Sequence, residues 1–388
     1  MVRKMKIYIT TQGARMIREG RHLLIKKGGD TYHTLFVEKI EQIILFGNIE
    51  ITSPARRMLL LNHVDTVFLS KDGRYLGRFS LAEPKNMALR IKQFGLLADE
   101  EFGIETARAI VQGKLANMMI LLGRIKRTRN KKDAGVKAKE IKKLMGALSR
   151  AESVDSIRGY EGKGSAIYFS AFRYGFIQDQ QFYHRVRRPP TDPVNAVLSL
   201  LYTFLFNRIY AAVRRNHLDP YPAFLHVPDY GRHSLVMDLM EEFRIIVVDT
   251  LTLSLFNLNI LNRNDFIIRE KTAECTLKVT GEKIDVTRDR LGRMNDPESC
   301  ELFDVPSQRM EEKGEEKKYD KSGKLPVKLK PEAMRRVIEN FERKLISEFR
   351  YEPYDKIITY GEAFIAQAGQ FRKYLEGETS VYEPLLLK

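Results

Sequence analysis

The chain has 388 residues, of which 43% are hydrophobic and 30% are charged, a composition that can bury a substantial core and excludes a largely disordered protein. Lys and Arg number 66 against 50 Asp and Glu, so the formal charge of +16 indicates an anionic partner, with nucleic acid the first candidate before ribosomal, heparin-like or membrane-surface binding. Two cysteines, Cys275 and Cys300, exclude a disulfide framework, and the absence of a signal-peptide pattern or an uninterrupted apolar span predicts a soluble cytoplasmic protein.

Short β-strands are predicted over the first part of the chain, residues 1–85. Runs rich in β-branched and aromatic residues alternate with turns such as Gly28-Gly29-Asp30 and Gly47-Asn48. This spacing predicts an N-terminal antiparallel β-sandwich, interrupted by a helix over Ser53–Asn62 with Pro54 in its first turn. The predicted strands are Lys6–Thr10, Leu23–Lys27, Tyr32–Val37, Glu41–Phe46, Glu50–Thr52 and Thr66–Ser70.

After Pro84 the apolar period becomes helical, which predicts a larger, mainly α-helical domain over residues 86–388 and an α+β two-domain protein overall. The polar, charged stretch at about 272–325 is predicted to be a surface loop. Within it, Glu311–Lys324 has five acidic and five basic residues, so its charges balance. The predicted helices are Met87–Leu97, Glu105–Arg129, Lys137–Arg150, Ser153–Gln178, Asp192–Asn216, Leu235–Thr250, one beginning at Pro331, and Glu362–Leu375.

One helix of this domain carries three carboxylates. Ser234 precedes an apolar run and predicts a helix start, so Asp238, Glu241 and Glu242 fall near one face at spacings of three and four. His226 lies in the loop upstream and could fold back onto that face. Carboxylates on a helix surrounded by core residues need compensation, because an unpaired buried charge is costly.

The residues alone leave three ways to compensate these carboxylates. A divalent metal could bind them together with His226. Arg232 or Arg244 could neutralise them without a metal. The face could also be a solvated acidic surface with an incidental histidine.

A second unusual run, Arg158–Tyr168, places Glu161 between Tyr160 and Gly162. Small residues at 162, 164 and 165 permit close approach of another helix or of a substrate backbone. The alternative is a charged helix start, where Glu161 would interact favourably with the helix dipole.

A third run, Arg185–Asn195, combines three arginines with a helix cap at Thr191 or Asp192 and Pro193 in the first turn. Asn195 is polar at the entrance of an apolar helix, and it either hydrogen-bonds the acidic site or completes the cap.

Basic residues are densest over Arg124–Lys143, where ten Lys and Arg accompany only Asp133 and Glu140. Each lysine alone is typical of a solvated helix face. As a cluster on a basic chain, they predict contact with phosphates.

These runs, in this order and spacing, resemble the CRISPR-associated endonuclease/integrase family, the spacer-acquisition protein called Cas one. The resemblance extends from the N-terminal strands to the helix around Gln367 and Gln370. The matching motifs are Arg158-Gly-Tyr-Glu161-Gly, Arg188-Pro-Pro-Thr-Asp-Pro-Val-Asn195, Leu225-His226, Gly231–Arg244 and Asn262-Arg263.

The resemblance implies an N-terminal β-sandwich and a C-terminal helical catalytic domain with a divalent metal, Mn²⁺ or Mg²⁺, held by Glu161, His226 and Glu241. It assigns Asp238 as a nearby acid that supports the site or contacts the metal. Family members carry either Asp or Glu as the last ligand, which leaves open whether Asp238 or Glu241 is the main helix ligand.

The activity implied is metal-dependent cutting and joining of DNA phosphodiesters during integration of spacer DNA into a CRISPR array. The implied partners are DNA, a second copy of the chain bound partly through the β domain, and the small companion protein Cas two. The residues predicted to contact DNA are Lys163, Arg185, Arg187, Arg188, Asn195 and Arg232.

Two departures from the family pattern stand out. Lys163-Gly164 follow Glu161 where small apolar residues are usual, and the segment at about 272–325 has no counterpart. Two other functions also fit the residues: a metal-dependent RNA phosphodiesterase and a non-catalytic nucleic-acid scaffold.

Overall fold

The computed structural model describes residues 5–79, 86–186, 189–268 and 327–387. The predicted domain boundary near residue 85, the predicted loop at about 272–325, and Arg187 and Arg188 lie outside these residues. Within them a β-rich region is followed by a mainly helical one, which confirms the predicted fold class in its order and content.

The β-rich region consists of two four-stranded sheets and one helix. The first sheet has the order β1-β5-β7-β8 and the second the order β4-β3-β2-β6. Two strands, β2 and β8, were not predicted, because Arg15, Arg18 and Glu19 make β2 polar and Gly77 interrupts β8. The bounds are β1 Met5–Ile9, β2 Arg15–Glu19, β3 His22–Lys27, β4 Asp30–Phe36, β5 Ile40–Phe46, β6 Glu50–Ile51, α1 Ser53–Leu61, β7 Asp65–Leu69 and β8 Tyr75–Phe79.

The expectation that this region is antiparallel is wrong for much of it. Strand β5 runs parallel to both β1 and β7, and β2 runs parallel to β6. Parallel neighbours need a crossover, and α1 lies in the connection between β5 and β7. The predicted helix is therefore part of a βαβ unit instead of an interruption of a sandwich.

Strand β5 is buried on both faces, and its alternating side chains enter two different cores. Ile43 and Leu45 pack with the second sheet and α1. Ile44 and Phe46 pack into the core of the helical region, where the ring of Phe46 lies 6.1 Å from that of Phe204. One face of the first sheet is thus covered by the helical region.

The helical region contains the predicted helices, most of them with small shifts at their ends. The predicted helix Ser153–Gln178 ends earlier, at Phe172, and the predicted helix Leu235–Thr250 continues to Asn257. Side chains of Asp99, Ser153, Asp192 and Thr359 accept hydrogen bonds from backbone N–H groups at helix starts, as the sequence pattern favours. The helices are α2 Met87–Gly95, α3 Glu100–Arg129, α4 Lys132–Leu148, α5 Val154–Phe172, α6 Pro193–Arg215, α7 Ser234–Phe243, α8 Thr250–Asn257, α9 Pro331–Ile346 and α10 Tyr360–Glu376. Two short antiparallel pairs complete it: β9 Phe266–Ile267 with β10 Lys328–Leu329, and β11 Glu348–Tyr351 with β12 Lys356–Thr359.

Helix α6 is long and apolar enough to cross a membrane, but 78% of its most apolar window is buried inside the fold. It lies at the centre of the helical region, as predicted for a buried core helix. Helix α7 continues through a π-helical turn, Arg244–Asp249, into α8.

The predicted Ser234 cap is wrong, because Ser234 is already the first helical residue. Its hydroxyl donates to the carbonyl oxygen of Val227 at 3.2 Å.

A buried polar cluster joins the first sheet to the helical region, and we call it the interdomain cluster. Arg208 of α6 donates to the Gln42 Oε1 at 2.7 Å and to the Tyr8 hydroxyl at 2.9 Å, and it is paired with Glu342 of α9. Tyr8 donates to Glu342 Oε1 at 2.5 Å, and Gln42 donates to Asp65 Oδ2 at 2.6 Å. Burial raises the pKa of Tyr8 well above its ordinary value.

Candidate active site

Two helices and one loop bring the predicted site residues together. Glu161 lies on α5, Asp238 and Glu241 on α7, and His226 in the loop before α7. Because α5 begins at Val154 with a Ser153 cap, Glu161 lies about two turns inside the helix, so its interpretation as a helix-start charge is wrong. Gly164 permits the close approach of α3, since a Cβ there would lie 2.2 Å from the Leu115 side chain.

Asp238 holds the loop that carries His226. Its Oδ2 accepts from the backbone N–H groups of Phe224 and Leu225 at 2.8 and 3.0 Å, and its Oδ1 accepts from that of His226 at 3.0 Å. The side chain is fully buried. A carboxylate committed to three backbone donors is a positioning group and has little capacity left for a ligand.

The imidazole of His226 is oriented by the same carboxylate. Its Nδ1 lies 2.7 Å from Asp238 Oδ1, and since an ionised carboxylate only accepts, Nδ1–H is the donor. In the neutral ring this leaves the lone pair on the other nitrogen, Nε2, which lies 3.9 Å from Glu241 Oε1, beyond hydrogen-bonding distance. On the other side of this loop, Arg158 Nε donates to the carbonyl oxygen of Leu225 at 2.6 Å.

Glu161 and Glu241 share one cation, the ammonium group of Lys114 on α3. Lys114 Nζ donates to Glu161 Oε1 and lies 2.5 Å from Glu241 Oε2, and the lysine side chain is only 7% exposed. Burial alone would lower the pKa of Lys114, but the two glutamates outweigh it and raise the pKa. Burial alone would raise the pKa of Glu161, but the charge and the hydrogen bond of Lys114 outweigh it and lower this pKa to about 2.

Two further contacts complete the surroundings of these glutamates. Ser165 donates to Glu161 Oε1 at 2.9 Å, and Arg244 Nε lies 3.0 Å from Glu241 Oε1. Arg244 therefore offsets the negative charge of Glu241, which was one of the alternatives that the sequence left open. Arg232 Nε donates to the Met237 sulfur at 3.2 Å.

Glu242 does not join Asp238 and Glu241 at the site, contrary to the sequence expectation. It is rotated by about 100° from Glu241 around α7, and its carboxylate lies against α10 and the segment that follows it. There it accepts from Gln367 Nε2 at 2.8 Å, the Tyr382 hydroxyl at 2.7 Å and the Leu385 N–H at 2.5 Å. These partners are neutral, and burial raises the pKa of Glu242 to about 7.

The structure separates the residues predicted to contact DNA. Lys163 is exposed on α5, while Arg185 donates to Asn195 Oδ1 at 2.8 Å and to the Ser199 hydroxyl at 3.0 Å. Asn195 is fully buried, completes the Asp192 cap, and donates to the carbonyl oxygen of His184 at 3.0 Å. Arg232 is also buried, and the hydrogen bonds of Asn195 support the alternative that it completes the helix cap.

Lys114 is the site residue that the sequence analysis missed. It lies within the predicted helix but was grouped with no motif. The available signal was its position: Ile110, Val111 and Met118, three or four residues away, are buried and place it on the apolar face of α3. A lysine on such a face needs an acidic partner.

The donor set fits a divalent metal in its chemistry, with two carboxylates and an imidazole nitrogen that a buried aspartate orients. Its arrangement differs from a formed metal site. Among the residues that the structure describes, no three His, Cys, Asp or Glu side chains already converge as one metal-binding group. The ammonium of Lys114 lies between the two carboxylates instead.

The chain thus has a β-rich region packed on a helical region, and the helical region brings carboxylate, imidazole and lysine side chains together. Known proteins share this fold. The family model described as CRISPR associated protein Cas1 matches residues 7–288. The chain belongs to this family, which confirms the resemblance seen in the motifs.

Two relatives illustrate the match. The CRISPR-associated endonuclease Cas1 3 of Thermus thermophilus is 27% identical over 384 residues, which cover 98% of this chain and 97% of the relative. A CRISPR-associated exonuclease Cas4/endonuclease Cas1 fusion of Rhodospirillum rubrum is 32% identical over 67% of this chain. The match spans 46% of that longer fusion protein.

Two solved structures share the fold. A casposase bound to integration product has a TM-score of 0.74 at 21% identity, with 98% of this chain and 93% of that chain covered. A Cas6-RT-Cas1–Cas2 complex has a TM-score of 0.76 at 21% identity, with 100% of this chain but only 37% of that chain covered.

Proposed function

We propose that this protein is a divalent-metal-dependent DNA endonuclease and strand-transfer integrase that inserts spacer DNA into a CRISPR array. Glu161, His226 and Glu241 are the proposed ligands of Mn²⁺ or Mg²⁺, and Asp238 is the residue that positions His226. The observation that carries the proposal is the Asp238–His226 contact of 2.7 Å, which directs the imidazole Nε2 towards Glu241 in a chain of this family.

The bound metal would polarise the scissile phosphodiester and offset the negative charge that develops on it. The chain's own residues supply the rest. Glu161 and His226 have side chains 26% and 22% exposed, so the site is open on one side to a substrate. Lys114 and Arg244 bring positive charge to within reach of phosphate oxygens. Hydrolysis and strand transfer use the same site, because they differ only in whether water or a DNA 3′-hydroxyl attacks.

DNA is the proposed substrate, held by the basic surface of α3 and α4. Its lysines and arginines contact phosphates independently of base sequence, which favours recognition of ends and branches. The exposed basic residues here are Lys126, Arg127, Lys131, Lys132, Lys139, Lys142 and Lys143. Lys163, Arg185, Arg187 and Arg188 remain further proposed contacts with DNA phosphates.

The proposed assembly is a homodimer joined by the small companion protein Cas two. Strand β4 is at the edge of the second sheet and exposes Tyr32 and Phe36, at 53% and 44%, which supports a dimer contact through the β-rich region.

The test compares Glu161→Ala and His226→Ala with the wild type on a branched DNA substrate in Mn²⁺. We expect both variants to lose at least about a hundredfold in cleavage and strand transfer, since each removes a ligand, while DNA affinity is retained. Matched controls are Glu152→Ala and His33→Ala, both at exposed positions. Unchanged activity in the ligand variants would favour a non-catalytic scaffold, and faster cleavage of a matched RNA would favour an RNA phosphodiesterase.

A further inference from the structure

Two cationic side chains already offset most of the negative charge of the candidate site before any divalent cation is added. Glu161 and Glu241 face two cationic side chains, Lys114 and Arg244, and Asp238 is engaged with His226 and its backbone. Three carboxylates face two cationic side chains, so a divalent cation added alone would leave one excess positive charge in a largely buried cluster. Such an excess is costly, because little solvent is present to screen it.

Lys114 is placed where the proposed ligands converge. Its Nζ contacts one oxygen of Glu161 and lies 2.5 Å from one oxygen of Glu241, the two carboxylates that are proposed to share the metal. An ammonium group and a metal ion cannot both occupy the space between those oxygens. The ammonium group therefore has to leave when the metal binds.

An anion is the partner that would attract the displaced ammonium group. The small cavity beside Lys114 is also lined by Ser165, Arg185, Tyr202 and Arg244. A phosphate oxygen entering there would meet three cationic side chains, Lys114, Arg185 and Arg244, against one carboxylate, Asp249, which already accepts from two tyrosine hydroxyls. A lysine is suited to such an exchange, since its flexible stem carries a point charge that can change partners.

We propose that Lys114 is an internal counter-ion that occupies the space between Glu161 and Glu241 until a divalent cation and a DNA phosphate bind together, and that it then transfers from the carboxylates to the phosphate. This inference rests on the proposed function. It makes metal binding and DNA binding cooperative, and the cooperativity is reciprocal, because each ligand must raise the affinity for the other by the same factor.

The first test uses the wild-type protein. Free Mn²⁺ is measured by electron paramagnetic resonance during titrations with and without a 20-base-pair duplex whose 3′ ends are dideoxy-terminated, at constant ionic strength. We expect the duplex to tighten Mn²⁺ binding about tenfold or more. The Glu161→Gln protein with the same duplex measures the Mn²⁺ that DNA binds by itself. Equal affinities for Mn²⁺ with and without DNA would overturn the inference.

The second test substitutes the lysine. Lys114→Met should bind Mn²⁺ about tenfold tighter than the wild type in the absence of DNA, and DNA should then add little. Its melting temperature without metal should fall, because two buried carboxylates lose their counter-ion, and Mn²⁺ should restore it. Lys114→Arg keeps the charge and should keep weak Mn²⁺ binding, and Lys71→Met, at an exposed position, should match the wild type.

The two possible failures are distinguishable. If Glu161→Gln binds Mn²⁺ as tightly as the wild type, the proposed metal site is wrong. If Glu161→Gln loses Mn²⁺ binding but Lys114→Met binds it no tighter than the wild type, only the role of Lys114 is wrong. Should Lys114→Met not fold, the wild-type titrations with and without DNA decide the question alone.

Discussion

The interdomain cluster and the candidate active site are both buried groups of charged residues, yet they are built around different cations. In the interdomain cluster the Arg208 guanidinium distributes its donors over Gln42, Tyr8 and Glu342. In the site a single Lys114 ammonium is shared by two carboxylates. A guanidinium with several directed hydrogen bonds fixes the orientation of its partners, whereas an ammonium is a point charge that another cation can replace. Buried clusters of cations and carboxylates thus fix the contact between the two regions in one place and provide a cation that can be exchanged in the other.

The largest effect expected is on the interdomain cluster. Arg208→Met should lower the free energy of unfolding by about 3 to 5 kcal/mol, since it leaves Glu342 and the Gln42 oxygen without their buried cationic donor. Urea denaturation followed by circular dichroism measures it. Arg215→Met on the same helix, at a side chain 65% exposed, should change stability by less than about 0.5 kcal/mol. Equal stabilities of the two variants would contradict the role given to the cluster.

Glu242 offers an intermediate case, a buried carboxylate with only neutral partners. Its pKa of about 7 in the folded state exceeds the ordinary value of 4.5, so folding takes up a proton between these values. This contribution to stability is complete below the unfolded pKa and is lost as the pH rises through about 7, by about 2 to 3 kcal/mol from pH 5 to pH 8. Chemical denaturation at several pH values measures it, with Glu242→Gln as the variant that lacks this dependence. A wild-type profile parallel to that of Glu242→Gln would contradict it.

A substitution at Asp238 tests whether the site, like the interdomain cluster, depends on the orientation of its side chains. In Asp238→Asn the amide can present an N–H to His226 Nδ1 and favour the wrong tautomer, so we expect Mn²⁺ affinity to fall about tenfold to a hundredfold. Calorimetric titration with Mn²⁺ in the presence of DNA measures this loss. Asp155→Asn, at a side chain 87% exposed, is the control. An unchanged affinity in Asp238→Asn would mean that the carboxylate does not position the histidine.

The smallest effect is expected from Tyr8→Phe, which removes one hydroxyl from the interdomain cluster. Arg208 keeps its contacts with Gln42 and Glu342, so the loss should be about 1 kcal/mol in the free energy of unfolding. Tyr32→Phe, at an exposed position, should be neutral. A loss as large as that of Arg208→Met would show that the hydroxyl, and not the guanidinium, holds the cluster together.

Local signals allowed much of the fold to be predicted, and their limits explain the errors. The change from a two-residue to a helical period located the helices, and Asp192 with Pro193 marked the start of α6. Strand direction was missed, because the pairing of β5 with β1 and β7 depends on contacts between distant residues. Strand β2 was missed because its polar residues weaken the alternation of apolar and polar side chains that marks a strand.

The candidate site shows the same division. His226, Asp238 and Glu241 are close in sequence and form a recognisable motif, and family resemblance added Glu161 from another helix. Lys114 belongs to no motif, because its role exists only when α3, α5 and α7 are packed together. The different surroundings of Glu241 and Glu242 likewise follow from packing, since Gln367 and Tyr382, which contact Glu242, come from sequence more than a hundred residues away.

Strand β5, buried on both faces, has a consequence for how the chain unfolds. Ile43 and Leu45 stabilise the small core of the two sheets, and Ile44 and Phe46 stabilise the helical core. Unfolding of either core would expose one face of β5 to solvent, so neither region is expected to stay folded when the other unfolds. The border between the sheets and the helices is a change of secondary structure within one cooperative unit, and calorimetry should record a single transition for both.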